Sequence, residues 1–295
     1  MHSGTITVRA NVRGRELMED QVRDGVRGAP ERSLLLQRSG ERIAVIAAHP
    51  DDETIGAGGH LPRMEDVLVL TVTDGAPADE ADWKAANCSH RDEYAALRRA
   101  ELVSSMALAG ISAERLECFH VQDQQASANI EAIALRLARW LREHEVGLVL
   151  THPFEMGHPD HDAVALAVHA AVALNGRNGG APPRLVEFTS YHRGPSGELI
   201  AGLFAPGGDP GEVRDLDGTT RTLKRRMLAT YRSQARVLAP FRTDVERFRP
   251  APTYDFTAPP HGSGAYYDMF NWGMRSEHWF LIAGEALKTL GLGPC

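Results

Sequence analysis

The 295 residues are 43% hydrophobic and 24% charged, the makeup of a water-soluble globular chain with room for one sizeable core. A net charge of −7 and a pI near 6.0 exclude a general attraction to nucleic acid or to an anionic membrane. Cys88, Cys118 and Cys295 are few, odd in number and without a C-x-x-C pair, which argues against a disulfide framework or a thiolate zinc site and for a reducing cytoplasm.

Residues 1–40 are polar and mixed, with a short helix expected around Glu16 to Val26; the start lacks the pattern of a secretory leader, and no stretch has the length of a membrane span. From Arg42 the texture becomes βα alternation. Apolar Ile43–Ala48 is followed by the Gly-rich Gly56–Gly59, and Val67–Thr73 is a β-branched run suited to a strand buried on both faces. Pro77 to Asn87 reads as an acidic loop. A helix over Asp92 to Leu108 carries Tyr94, Leu97, Ala100, Val103 and Met106 on one stripe. A strand at Leu116–Val121, a helix at Asn129–His144 and a strand at Val146–Leu150 follow. Ala163 to Leu174 is apolar on nearly all sides, as an inner helix would be, and Arg184–Tyr191 is a fifth strand after a Gly/Pro-rich loop.

This alternation predicts an α/β fold: a Rossmann-like, doubly wound, mostly parallel sheet with helices on both faces and sites beyond the carboxyl ends of its strands. After Tyr191 an excursion or hairpin is expected over Gly194–Gly218, a helix over Thr220–Leu238, and a proline- and aromatic-rich wall or lid over Pro240–Trp279. The expected organisation is a single domain over 1–295, with a core at about 42–191 and a C-terminal elaboration at 192–295.

Two clusters fall at strand ends. Ala48-His49-Pro50-Asp51-Asp52-Glu53 sets an imidazole and three carboxylates behind an apolar strand, and such charges need a partner, most commonly a divalent metal. The second, His158-Pro159-Asp160-His161, follows the Val146–Leu150 strand. Proline suits the first position of a helix, so a helical turn is expected at each. Within such a turn His49 and Asp52, three apart, share a side, while Asp51 points elsewhere. A His-x-x-Asp pair with a distant His supplies three ligands and leaves one position open, the requirement of a catalytic zinc site whose bound water becomes a nucleophile near neutral pH. Asp51 is then placed to take the water's proton, and His158 to act across the reacting carbonyl. If His158 is to donate a proton as an acid it needs a carboxylate partner, Asp160 or Asp74.

The Ala-His-Pro-Asp-Asp-Glu run with Gly56–Gly59, the His158-Pro159-Asp160-His161 run, and Arg98-x-x-Glu101 with Ala107–Gly110 between them resemble the PIG-L/LmbE-like family over roughly Arg42 to Ala170. The resemblance implies a metal-dependent N-deacetylase on a Rossmann-like fold, with zinc as the usual metal and Fe2+ or another divalent ion as an alternative. It further implies a small N-acetylated sugar or glycoconjugate as substrate. Carried across by motif, His49, Asp52 and His161 are metal ligands, Asp51 is the general base, and His158 stabilises the oxyanion or acts as acid. Asp160 orients a histidine and Arg98 faces the substrate. Where some sugar-thiol members carry a tyrosine, this chain has Met156, so a tyrosine at the oxyanion would have to be Tyr191, Tyr266 or Tyr267.

Plainer readings stand beside these. Arg98 and Glu101 also fit an ordinary ion pair three apart on a helix. His152 fits loop packing, and Gly56, Gly58 and Gly59 fit close helix packing rather than a phosphate cradle. Gln234, His192, Trp272 and His278 are read as structural more than pocket-lining. An amidase for a larger acyl group or a thiol conjugate would share the mechanism. A non-haem iron oxygenase also uses two histidines and a carboxylate, but usually as His-x-Asp on an all-β scaffold. The homo-oligomeric state is left open.

Overall fold

The computed structural model describes residues 40–293 apart from 178, 180 and 271; the helix expected near Glu16 to Val26, and Cys295, lie outside them. The strand β1 (Arg42–Ala47) pairs in parallel with β2 (Val67–Thr73) on one side and β4 (Val146–Thr151) on the other. The strands β3 (Leu116–Val121) and β5 (Arg184–Phe188) extend the parallel array outward. The sheet order is β3-β2-β1-β4-β5-β9-β8, in which β8 (Glu212–Asp215) and β9 (Val245–Pro250) run antiparallel. This is the expected mostly parallel α/β sheet.

Period-2 alternation explains why the strands read as unbroken apolar runs. Ala44, Ile46, Leu68, Leu70 and Val149 enter one core with α4 (Ile130–Glu143), α5 (Pro159–Arg177) and α8 (Ser276–Thr289). Ile43, Val45, Val67, Val69, Leu148 and Leu150 enter another with α1 (Asp52–Ala57), α3 (Arg91–Leu108) and α6 (Gly218–Leu228). Both faces of each central strand are therefore buried.

The order reverses between β1 and β4, which opens a crevice beyond their carboxyl ends. His49 follows β1 there and His158 follows β4. Several local expectations are corrected. The acidic loop contains α2 (Glu80–Ala85), started by the Asp79 carboxylate accepting from Ala81 N–H. The long helix after Thr220 ends at Leu228; Tyr231, fully buried, begins a 3-10 turn over Arg232–Gln234 before α7 (Ala235–Leu238). Tyr191–Arg193 leaves the main sheet as β6 to form a hairpin with β7 (Leu199–Ala201). The segment expected as a wall or lid also contributes β9 to the central sheet, and its end begins the helix α8, whose buried Trp279 and Ala283 join the core. Among the described residues no helix is long and apolar enough to cross a membrane.

Candidate metal centre

Pro50 does not open a helix. Asp51 takes φ 135° and ψ −28°, outside the ordinary basins of an L-residue, and α1 starts at Asp52. Such a conformation costs of the order of 1–3 kcal/mol and persists only where neighbours hold it. Here the Asp51 carbonyl accepts from Thr54 N–H and Ile55 N–H, both at 2.9 Å, its N–H donates to Glu53 Oε2 at 3.0 Å, and Arg98 Nη2 donates to Pro50 O at 2.6 Å and to Asp51 Oδ2 at 3.1 Å. The other cluster follows expectation: Pro159 is the first residue of α5 and sets Asp160 and His161 in its first turn.

His49, Asp52 and His161 meet. His49 Nδ1 lies 3.2 Å from His161 Nε2 and 3.3 Å from Asp52 Oδ2, and His161 Nε2 lies 3.3 Å from Asp52 Oδ1. Zinc bonds of about 2.0–2.1 Å in a tetrahedron require donor separations of about 3.3–3.4 Å, so these pairs have the spacing that a small divalent cation needs, with Asp52 presenting Oδ1 to His161 and Oδ2, which also accepts from His49 N–H at 2.8 Å, to His49. The far side of each ring is also engaged. Nδ1 of His161 lies 3.3 Å from Ser190 Oγ, and Nε2 of His49 lies 3.1 Å from Asp123 Oδ1 and 3.3 Å from Asp160 Oδ2. Hydrogen on those outer nitrogens leaves the inner lone pairs for the cation, the usual carboxylate–histidine–metal arrangement.

Three other groupings of donors occur in the same place: His49, His158 and His161; Asp52, His152 and His161; and His49, Asp123 and Asp160. His152 Nε2 accepts from Ala48 N–H at 3.0 Å. The Asp160 carboxylate accepts from Gln124 N–H at 2.6 Å and Ala126 N–H at 3.0 Å. His152 is thus a packing element, its ring stacked on His161 at 4.1 Å.

The electrostatics favour a cation. Burial works against a charge on His49, yet Asp123, Asp160 and Asp52 hold its pKa well above the ordinary value. Burial likewise opposes ionisation of Asp52, but His161 and His152 keep its carboxyl well below the usual range. Burial, opposed by Asp52 and helped by His152 and His49, lowers His161 to about 4, toward the neutral form that can ligate. Asp51 is pushed up to about 7, first by burial and then by Asp52 and Glu53, against the pull of Arg98.

His158 sits edge-on to His49, ring centres 4.7 Å apart, and burial with His49 beside it lowers its pKa to about 3. Its Nδ1 accepts from Asp160 N–H at 3.1 Å. A neutral imidazole so engaged carries its proton on Nε2, as a hydrogen-bond donor. Neither expected acid partner serves it: the Asp160 carboxylate orients His49, and Asp74 is held by Arg91 at 2.7 Å and Ala76 N–H at 3.0 Å.

Arg98 is 2% exposed and grips Asp51; its separation of 3.9 Å from Glu101 is a weak pairing. Met156 is buried in the core, and Tyr267 is fully buried, whereas the Tyr191 ring stands 5.4 Å from that of His161. Of the four residues read as structural, Trp272 stands against His158, ring centres 5.1 Å apart. Gln234 bonds Tyr94, His192 packs on His261, and His278 lines a separate cavity of about 390 Å³ between α4 and α8. Asp123 was missed, although its place directly after β3, at a strand's carboxyl end, is a signal for it.

Residues 44–172 match the family described as PIG-L: GlcNAc-PI de-N-acetylase. A 1D-myo-inositol 2-acetamido-2-deoxy-alpha-D-glucopyranoside deacetylase of Rhodococcus jostii is 28% identical over 161 residues, covering 47% of this chain and 55% of that protein. The chain thus spans about half the length of the curated relatives it matches. Among solved structures, N,N′-diacetylchitobiose deacetylase of Pyrococcus horikoshii aligns with a TM-score of 0.52 at 19% identity over 72% of this chain and 84% of that one. A 4-carboxy-2-hydroxymuconate hydratase of Pseudomonas putida aligns at 0.51 and 18% identity, over 73% and 99% respectively. At those identities the structures speak for the shared fold alone. The matched stretch 44–172 contains His49, Asp52 and His161 together with Asp51 and His158, so the candidate centre lies within the part of the chain that is similar to that family.

Proposed function

We propose that this protein is a zinc-dependent hydrolase that removes the acetyl group from an N-acetylated amino sugar or a related glycoconjugate. The observation that carries this reading is the 3.2–3.3 Å triangle of His49, Asp52 and His161 donors, with a buried carboxylate, Asp51, beside it and turned to Arg98. A cation held there supplies Lewis acidity, polarising an amide carbonyl and making a water acidic enough to ionise near neutral pH. Asp51, buried beside the proposed ligands and held by Arg98, accepts the water's proton. His158 offers Nε2–H to the carbonyl oxygen as negative charge develops on it, so its role is oxyanion stabiliser. The proton on Asp51 is then available to the departing amine. Asp160 orients His49 through its carboxylate and His158 through its N–H. Arg98 orders Asp51 through Nη2, while its buried Nε and Nη1 have no hydrogen-bond partner among the described residues.

The relatives' substrates, N-acetylated sugar conjugates, support the same class here. So does a chain of linked rings beside His161 and His158: Tyr191, Tyr266, Phe270 and Trp272, with successive centres 4.7–5.9 Å apart. Such faces suit the apolar side of a sugar ring. We read residues 192–295 as the pocket-shaping part of a single domain whose core is 42–191, in a protein of a reducing cytoplasm.

Two measurements test the reading: the metal content of the purified protein, and acetate and free-amine release across a panel of N-acetyl sugars and N-acyl homologues. Zinc near one equivalent and chelator-sensitive acetate release are expected. Release of longer acyl groups in preference would shift the assignment to an amidase, and absence of hydrolysis across the panel by the zinc-loaded protein would refute it.

A further inference from the structure

Asp51 does its proposed work from a strained backbone, and the group that holds its N–H, Glu53, is itself held from the far end of the chain. Glu53 is fully buried. Its Oε2 accepts from Asp51 N–H at 3.0 Å, while Oε1 accepts from Thr54 Oγ1 at 2.6 Å and from Tyr231 Oη at 2.5 Å. Among the described residues no cation pairs with this carboxylate, so its orientation depends on those donors. Tyr231 is also fully buried. Its loop is docked on α3 by Glu101, which accepts from Ser233 N–H at 2.8 Å and from Ser233 Oγ at 2.6 Å.

We infer that Tyr231 and Glu53 are positioning residues for the base: the Tyr231 hydroxyl fixes the Glu53 carboxylate, which pins the Asp51 N–H and keeps that residue in the conformation that aims its side chain at the reacting water. The inference rests on the role proposed for Asp51 and adds that the 3-10 turn after Leu228 is part of the same device. The physical logic is over-determination. A residue at φ 135° relaxes when one of its anchors is removed, and a displacement near 1 Å at a catalytic group lowers rate by up to about a hundred-fold. Arg98 alone constrains the carboxylate and Pro50 O; it leaves the Asp51 N–H unheld.

The test uses the full chain loaded with zinc. Tyr231→Phe deletes one oxygen and keeps the ring in the core. The expected result has three parts: zinc stoichiometry unchanged, faster hydrogen exchange at the Asp51 amide, and kcat on N-acetylglucosamine or N,N′-diacetylchitobiose lower by about ten- to a hundred-fold with KM within about two-fold. Adding Tyr231→Phe to Asp51→Asn should lower kcat no further, because one residue acts through the other. Should Tyr231→Phe fail to fold, Ser233→Ala loosens the same turn from its half-buried side, and the same exchange and kinetic changes are expected in reduced size. Unchanged Asp51 exchange in the folded variant, or an equal loss of kcat in both backgrounds, overturns the inference. Full turnover by Asp51→Asn alone would instead sink the reading on which this one rests.

Discussion

Replacing Gly56 by alanine tests whether the packing beneath the site sets its geometry. A Cβ built on Gly56 falls 2.2 Å from Phe188 Cδ2 and 2.4 Å from Cγ. Ordinary carbon contacts of about 3.5–4.0 Å mean that ring or helix must retreat by more than about 1 Å. Phe188 has little room: it is fully buried, paired with Phe248 of β9, and edge-on to His152 at 5.1 Å. Overpacking of this kind costs about 1–3 kcal/mol, while the better helix propensity of alanine returns about 1 kcal/mol, leaving a net loss of up to about 2 kcal/mol. The strain falls on α1, whose first residue is Asp52, and on His152, which stacks on His161. Metal affinity should therefore drop by about ten- to a hundred-fold, the range found when support of a ligand is disturbed. Urea unfolding of the metal-free protein measures the first effect, and zinc competition with a chelator the second. Gly176→Ala is the control, since it is exposed on α5 and a Cβ there meets no atom within 4 Å. A Gly56→Ala protein with wild-type urea midpoint and wild-type zinc affinity would refute the reasoning.

Other expectations follow from the same geometry. Asp51→Asn should keep stoichiometric zinc while turnover falls by about two orders of magnitude or more; loss of the metal in that variant would move Asp51 into the ligand set. His158→Ala should lower kcat by about a hundred-fold or more with KM little changed, as expected for a donor that acts on the developing oxyanion; wild-type kcat would remove it from the mechanism. Glu155, outside the proposed ligand set, supplies a pH test. Burial pushes its carboxyl up to about 8, against a hydrogen bond from Ala205 N–H and the charge of Arg249. The folded state therefore binds a proton that the unfolded state has released, so stability falls as pH rises from about 4.5 to about 8 and then levels. Glu155→Gln should flatten that part of the urea-midpoint profile, and an unaltered profile would show that Glu155 is not the group responsible.

Much of the candidate site was legible in the chain because its proposed ligands come in two short runs at strand ends. An apolar run ending in His-Pro-Asp-Asp or His-Pro-Asp-His states both the strand and the exposed chemistry beyond it, and both runs do flank the crevice between β1 and β4. The parallel core was equally readable, since strands buried on two faces are apolar at every position. Spacing was weaker on conformation. It placed Asp51 in a helical first turn, whereas hydrogen bonds from Arg98 and to Glu53, 47 and two residues away, hold it at φ 135°.

The sequence by itself determined which residue types stand at the strand ends, and with them the donor chemistry of the candidate site and the sheet that presents it. Only the tertiary structure decided which partners each member meets. That His158 bears its proton on Nε2 follows from an N–H of Asp160 meeting its other nitrogen. That Arg98 grips Asp51, that Asp123 backs His49, and that Tyr231 reaches Glu53 from 178 residues away depend on how separate elements pack. Periodicity reports only which face a residue shares within its own helix or strand; the direction of a proton or the choice of a partner across the crevice is settled by contacts that do not exist until the chain has folded.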